Sequence, residues 1–427
     1  MSGSNPSLHN ITRAIDAIEE ASIGTAIYNA ETQSYVISEA RKRRRQIEDE
    51  EEQNEQLVNS NNNRLVDGSD EISVVGHELS LMQITRTFGL SVYNKGFKAA
   101  TPFQRNLMEL CLNSIVDIDS NQLFKILDIG PEAHKALKIV YKNESLVMPA
   151  LSDYLVGLFR QSEKLDGTKK RQHFVCASFD SYHDDKKRLE IIGSIYKNLT
   201  TRKKILESWR TLSEWSSIVK IWSDLFEVAF EETNVELIWG DTLNDKLKVD
   251  LRLCLRYENK DYDIANIEFK KNSKNRNLVV EDEVKVLIEG KSIANKLVNI
   301  YNMDFEESKK IKVLTGQIVG LRGMLKELTI VAPGAYVAQS FGKTIKYPIS
   351  DDKLKLFVEQ GLQLIFVFKD HVVREAERLK SRLTEEDNGF GSQSTDEDQG
   401  FLKNVWRVKK DAKKFPPVHE DIFQKLI

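Results

Sequence analysis

The chain has 427 residues, enough for two or three domains with a real hydrophobic core. Hydrophobic residues make up 41% and charged residues 30%, and the formal net charge of −3 excludes an overall basic field, so any contact with nucleic acid has to come from local patches. Cys111, Cys176 and Cys254 lie far apart with no CxxC spacing, which argues against a disulfide framework or a zinc ribbon and suits a reducing compartment.

The opening MSGSNPSLHN carries no apolar run of the kind a signal peptide needs. The longest apolar run, LQLIFVF from Leu362 to Phe368, is too short to cross a bilayer. The expectation is an intracellular protein with no membrane partner.

Residues 1–77 read as a flexible N-terminal region. A short helix in NITRAIDAIEEA leads into the basic-then-acidic EARKRRRQIEDEEEQNEQ, and the asparagine-rich QLVNSNNNRLVDGSD cannot bury enough apolar surface to offset the entropy of ordering. The run Arg41–Arg45 has two readings: a nuclear localisation signal or phosphate-contacting arm, and a solvated helix whose Arg and Glu residues pair at i,i+4.

Residues 78–194 read as a mainly helical domain. LMQITRTFGLSVY, TPFQRNLMELCLNSIVDI and SLVMPALSDYLVGLFR carry apolar residues at three- and four-residue spacing, and Thr101-Pro102 is a helix start. No catalytic cluster stands out, so scaffolding, protein partners or homodimerisation are the expected roles. QHFVCASFDSYH, from Gln172 to His183, reads as strand-like or irregular, with His173 and His183 structural rather than metal ligands.

Residues 195–383 hold the informative part. In SWRTLSEWSSIVKIWSDLFEVAFEE, Trp215, Val219, Trp222, Phe226 and Phe230 recur at helical spacing, an aromatic stripe read as core in preference to base stacking. The period then changes from 3.6 to 2. NVELIWGDT is a strand closed by a Gly-Asp turn, KVDLRLCLRY a second strand, ENKD a turn and YDIANIEFKK a third strand. Alternation puts Val249, Leu251, Leu253 and Leu255 on one face of the second strand and Asp250, Arg252, Cys254 and Arg256 on the other. On the third strand Asn266, Glu268 and Lys270 share a face opposite Ala265, Ile267 and Phe269.

Charge on strands that otherwise read as core needs a reason, because desolvating it is costly unless it is paired or bound to metal. Phosphodiester hydrolysis supplies one. Two carboxylates, Asp250 and Glu268, can hold Mg²⁺ (or Mn²⁺), the metal polarises the phosphoryl oxygen and acidifies a bound water, and Lys270 can orient that water or offset transition-state charge.

A helix, a strand, an Asp-bearing strand and a strand bearing Glu268-Phe269-Lys270 resemble the core of the PD-(D/E)xK, or restriction-endonuclease-like, nuclease superfamily over roughly residues 209–348. Lys248-Val249 stand where the family's eponymous proline would be. The resemblance implies an α/β fold with an αβββαβ core behind a helical N-terminal region, and an acidic group on the helix before the first strand, for which Glu227 is preferred to Glu231. It also implies that the helix after the Glu-x-Lys strand packs beside the cleft. A helix is expected through EDEVKVLIEGKSIANKLVNIY and a second through KKIKVLTGQIVGLRGMLKEL, with Gln317, Arg322 and Lys326 as phosphate contacts. Lys271, Lys274 and Arg276, in the polar loop after Lys270, either hold a phosphate backbone or simply solubilise a turn.

TIVAPGAYVAQSFG returns to strand character with a break at Pro333-Gly334, and LFVEQGLQLIFVFKDHVVREAERLKSRL reads as a helix end, a buried strand and an amphipathic helix. Residues 384–427 are a mobile acidic loop followed by a basic tail containing Trp406 and Phe415, which would bind a partner or nucleic acid. GxxxxGK[ST], GxGxxG, HExxH and GxSxG motifs are absent. The expected function is a metal-dependent nuclease acting on DNA or RNA; the alternative is a nuclease-fold scaffold without activity that binds nucleic acid or protein.

Overall fold

The computed structural model describes residues 80–141, 146, 148–180, 185–244, 247–271, 276–387, 401–408 and 413–418; the Arg41–Arg45 run, the asparagine-rich stretch, His183 and Lys274 lie outside them. Helices α1 (Leu81–Lys95) and α2 (Pro102–Leu112) begin where their sequences dictate. Ser80 and Thr101 cap them, each hydroxyl accepting the backbone N–H of Gln83 or Gln104, whose side chain returns a bond to the cap. The helix expected to continue through SIVDI ends instead at Leu112. Ser114 takes a left-handed φ of 53°, and Ile115–Asp117 form a short buried strand, β1.

Helices α3 (Asn121–Ile126), α4 (Pro131–Val140), α5 (Asp153–Ser162), α6 (Gly167–Asp180) and α7 (Lys186–Leu199) follow. Residues 172–180, expected to be strand-like, are the latter part of α6. Phe174, Ala177 and Ser178 are buried at i, i+3 and i+4, and Phe174 packs on Phe159 and Tyr196 with ring centroids 5.0 and 5.5 Å away. After α8 (Lys203–Glu207), the long helix expected up to Phe230 is broken into α9 (Glu214–Ser217), a π-helical turn at Ile218–Trp222 and α10 (Ser223–Phe230). The π turn inserts an extra residue and rotates what precedes it away from the core. Trp222, Phe226 and Phe230 are therefore buried as expected, while Trp215 and Val219 are exposed.

Strands β2 (Val235–Asn244), β3 (Leu247–Tyr257) and β4 (Lys260–Lys270) form an antiparallel meander. Gly240, at φ 98°, sits in a bulge and the strand runs on past it, where a closing turn was expected. Glu258 and Asn259, both left-handed at φ 46° and 63°, make the tight turn between β3 and β4. The long helix α11 (Arg276–Tyr301) and the short α12 (Phe305–Ser308) lead to β5 (Lys312–Val319), which returns parallel to β4.

KKIKVLTGQIVGLRGMLKEL, expected as a helix, is the hairpin of β5 and β6 (Arg322–Ala332), turned at Gly320 with φ 59°. Both strands lie inside the sheet and bury residues on both faces, so their apolar pattern mimics a helical stripe. β7 (Ala335–Ser340) and β8 (Ile345–Lys346) complete the sheet, whose order is β1-β7-β6-β5-β4-β3-β2 with β8 paired to β6. Leu362–Phe368, expected as a strand, is helical. It spans the end of a π turn at Phe357–Leu362, which follows α13 (Asp351–Leu356), and the start of α14 (Gln363–Asp387).

The sheet is mixed, with β1–β7 and β4–β5 parallel and its other pairs antiparallel. β1, from the segment expected to be helical, and the later strands thus share one sheet and one core. α11 covers one face, brought close where Gly290 meets β5: a Cβ there would lie 2.7 Å from the Thr315 methyl. α10 and α14 cover the opposite face, where Phe226 meets Phe269 of β4 edge-to-face and Phe230 meets Phe368 to join the two helices.

The C-terminal stretch docks on its own chain. Trp406 is buried beside Tyr93 and Phe415, and it exchanges bonds with Asn113, its N–H donating to Oδ1 at 2.9 Å and its carbonyl accepting from Nδ2 at 2.6 Å. The buried Lys291 ammonium donates to the carbonyls of Asn113 and Asn404, both at 3.2 Å. No described helix is long and apolar enough to cross a membrane.

Candidate active site

The polar residues of β4 lie under α11, as strand alternation requires. Leu251 pairs with Ile267, which sets Asp250 beside Glu268, and Asp250 Oδ2 accepts the Phe269 N–H at 2.8 Å. Glu268 pairs in turn with Gln317 on β5 and Gln317 with Met324 on β6. One step nearer the sheet end a second row runs Lys270, Val319, Arg322, Lys346.

Three residues of α11 at i, i+3 and i+7 answer three alternate residues of β4. Asn266 Nδ2 donates to Glu289 Oε2 at 2.6 Å, Lys285 Nζ lies 2.7 Å from Glu268 Oε2, and Lys270 Nζ lies 2.8 Å from Asp282 Oδ2. A helix turn rises about 5.4 Å and two strand residues about 6.6 Å, so the two ladders stay in step over this length.

Acid outweighs base in this layer. Burial pushes the Glu268 carboxyl up to about 9, Lys285 pulls against it, and Asp250 and Glu289 add to the rise. Burial likewise pushes Glu289, which is 0% exposed, up to about 8 against the pull of Lys285 and Arg407. Burial works against the Lys285 and Lys270 ammonium groups, but Glu268 and Asp282 respectively outweigh it and hold both above the ordinary lysine value. Three carboxylates thus influence one another around Lys285. Among the described residues, Asn266 Oδ1, Glu289 Oε1, Thr315 Oγ1 and Gln317 Oε1 are buried on this face without a hydrogen-bond partner.

The remaining expected residues are placed as follows. Lys271 is exposed at the end of β4, and Arg276 is the first residue of α11. Arg322 is exposed, on β6 rather than a helix. Lys326, also on β6, is buried between Asp117, with which it forms an ion pair, and Glu283 at 2.7 Å, an arrangement that holds it protonated and turned inward rather than toward a phosphate. Gln317 donates to the Val279 carbonyl at 2.7 Å. Glu227 is not brought to the others. It is exposed on α10, on the Phe269 side of the sheet, and accepts the Trp239 indole N–H at 2.5 Å. Glu231 ends that helix, and its carbonyl accepts from Lys187.

The acidic residue that does approach from before β2 is Glu214 on α9, whose Oε2 accepts the Lys271 N–H at 3.1 Å and whose charge reinforces that of Lys270. Glu214, Asp282, Lys285 and Glu289 were missed in the sequence reading. For the last three a signal was present: charges spaced i, i+3 and i+7 within the apolar EDEVKVLIEGK can only share a face that meets the sheet.

Among the described residues no group of three or more His, Cys, Asp or Glu is drawn together closely enough to cage a metal ion. Mg²⁺ does not need such a cage, since it commonly keeps several waters and takes one or two carboxylates plus substrate phosphates. Asp250 and Glu268, side by side in an acid-rich layer with unpartnered oxygens nearby, are a hard-oxygen donor set of that kind. Comparison with protein-family models, with curated proteins and with solved structures found no match to this chain.

Proposed function

We propose that the chain is a metal-dependent nuclease, hydrolysing phosphodiester bonds of DNA or RNA at the sheet end marked by Asp250, Glu268 and Lys270. The observation that carries this reading is the surplus of acid around Lys285, the buried Glu268 and Glu289 with the half-buried Asp250, which a divalent cation would balance. The element order α10-β2-β3-β4-α11-β5, with the Asp and Glu-x-Lys on adjacent strands, supports a restriction-endonuclease-like core.

In this reading Asp250 and Glu268 would hold Mg²⁺ or Mn²⁺, which when bound supplies Lewis-acid activation of the phosphoryl group and a more acidic water. The chain's own part is positional. The Phe269 N–H fixes the Asp250 carboxylate. Lys270, freed from Asp282, orients the attacking water or meets the charge developing on the phosphoryl oxygens. The exposed Lys271 and Arg322 flank the same sheet end and suit a phosphate backbone.

One observation favours a second reading, a scaffold that binds without cutting: both charges of the Glu-x-Lys element are already ion-paired, Glu268 with Lys285 and Lys270 with Asp282. The test is cleavage of labelled single- and double-stranded DNA and RNA with Mg²⁺ or Mn²⁺, for the wild type and for Asp250→Ala and Lys270→Ala. Cleavage that stops in EDTA and in both variants supports the nuclease. Absence of cleavage on every substrate, with binding retained, supports the scaffold.

A further inference from the structure

Trp215 is 54% exposed, against 0% for Trp222 one π turn later on the same segment. A tryptophan ring left half in water keeps an aromatic face free to stack on a ligand. The segment that carries it is tied at two points to the sheet end holding Lys270. Glu214, the residue before Trp215, accepts the Lys271 N–H at 3.1 Å, and Trp222 donates its indole N–H to the Gly320 carbonyl at 2.8 Å. Gly320 in turn donates to the Lys270 carbonyl at 2.9 Å. The segment bearing the exposed ring is therefore held at the end of β4, where Lys271 and, on the neighbouring strands, Arg322 and Lys346 are exposed cations.

An exposed ring beside a track of cations is the combination that holds an unpaired nucleic-acid strand: the cations follow the phosphates and the ring takes a base on its face. A duplex keeps its bases stacked on one another and offers no free face to Trp215. We infer that the substrate is an unpaired strand, or the unpaired part of a branched one, with a base stacked on Trp215 as the phosphate backbone passes Lys271. This inference rests on the reading of the sheet end as a nucleic-acid site, and it adds the substrate class to that reading.

The test is binding of end-labelled oligothymidine and oligouridine of about twenty residues, and of a DNA duplex of equal length, to the full-length protein in EDTA, followed by fluorescence anisotropy. Working in EDTA keeps binding separate from cleavage, and the two single strands separate DNA from RNA. Trp215→Ala is expected to weaken binding of at least one single strand about tenfold, in line with the effect of removing one stacked base. Trp215→Phe should stay within about threefold of wild type, and the duplex should change by less than about twofold, because the cations that hold it remain. Unchanged single-strand binding in Trp215→Ala, or an equal loss on duplex and single strands, overturns the inference. Metal-dependent cleavage lost in Asp250→Ala but untouched by Trp215→Ala on every substrate also overturns it and leaves the nuclease standing. Trp215-dependent single-strand binding with no cleavage on any substrate supports the stacking surface and removes the nuclease.

Discussion

Lys285 Nζ lies 2.7 Å from Glu268 Oε2, so the carboxylate that heads the Glu-x-Lys element is held by a lysine from the helix above it. This pair separates two accounts of the layer, because a divalent cation and an ammonium group compete for the same carboxylate oxygen. Breaking one side of a buried ion pair leaves the other charge uncompensated and costs roughly 3 kcal/mol or more. Lys285→Met is therefore expected to lower the thermal midpoint in EDTA, and Mn²⁺ should restore more stability to this variant than it adds to the wild type. Thermal scans of both proteins with and without Mn²⁺ check it. Equal metal shifts would argue that no cation reaches Glu268.

Lys326 is buried with two carboxylates, Asp117 on β1 and Glu283 on α11, and so ties the sheet edge and the covering helix together. Lys326→Met should destabilise the fold by about 3–5 kcal/mol. In the folded fraction, nucleic-acid affinity and its salt dependence should match the wild type, since this lysine is turned inward. Denaturant titration and salt-dependent anisotropy measure the two effects. A reduced salt slope would place Lys326 on phosphate after all.

Glu109 on α2 gives the clearest pH dependence. Burial pushes its carboxyl up to about 7, with Glu281 adding to the rise and Arg407 and a hydrogen bond from the Val408 backbone opposing it. A carboxyl whose folded value lies above its unfolded value of 4.5 binds protons more tightly in the native state. Its contribution is thus full below about pH 4.5 and declines as pH rises toward about 7, above which a constant penalty remains. Glu109→Gln should be more stable than wild type by about 1–3 kcal/mol above pH 7 and no more stable near pH 4. Denaturant unfolding at the two pH values decides it, and a gain of equal size at both would contradict the assignment.

The tail makes a packing prediction. Trp406 is 2% exposed, bonds with Asn113 through both its backbone groups, and donates its indole N–H to the Pro417 carbonyl at 3.1 Å. Trp406→Ala should cost about 3–5 kcal/mol, the usual range for deleting a buried aromatic. Limited proteolysis of that variant should cut within residues 401–408 much faster than in the wild type. A tail that served only as a ligand arm would leave stability unchanged.

The meander around Asp250 and Glu268 was legible in the sequence because β3 and β4 alternate there, with Leu251, Leu253, Ile267 and Phe269 on one face and the polar set on the other, before the register shifts beyond Leu253 and Ala265. β5 and β6 were not legible. They are buried on both faces, so Ile311, Leu314, Ile318, Leu321 and Leu325 fell by chance at helical spacing, and the deciding signal was Gly320 in the turn. The inverse error befell Leu362–Phe368, whose aromatic and β-branched residues looked like a strand but lie in buried helix. Of the site, Asp250, Glu268 and Lys270 could be read from period alone. Their partners Asp282, Lys285 and Glu289 required knowing that α11 crosses back over β4. Glu214 in place of Glu227 turned on the π turn at Ile218–Trp222, which rotates α9 relative to α10 and leaves no trace in a helical wheel.

The most direct test of the central claim, that Asp250 and Glu268 form a divalent-cation site, is a calorimetric titration of the full-length protein with Mn²⁺, alongside the double variant Asp250→Asn, Glu268→Gln. The account predicts one saturable class of binding in the wild type that the double variant lacks while it keeps the wild-type circular-dichroism spectrum. Equal Mn²⁺ binding by the two proteins, or none by the wild type, would contradict it and leave the layer between β4 and α11 as a set of structural ion pairs.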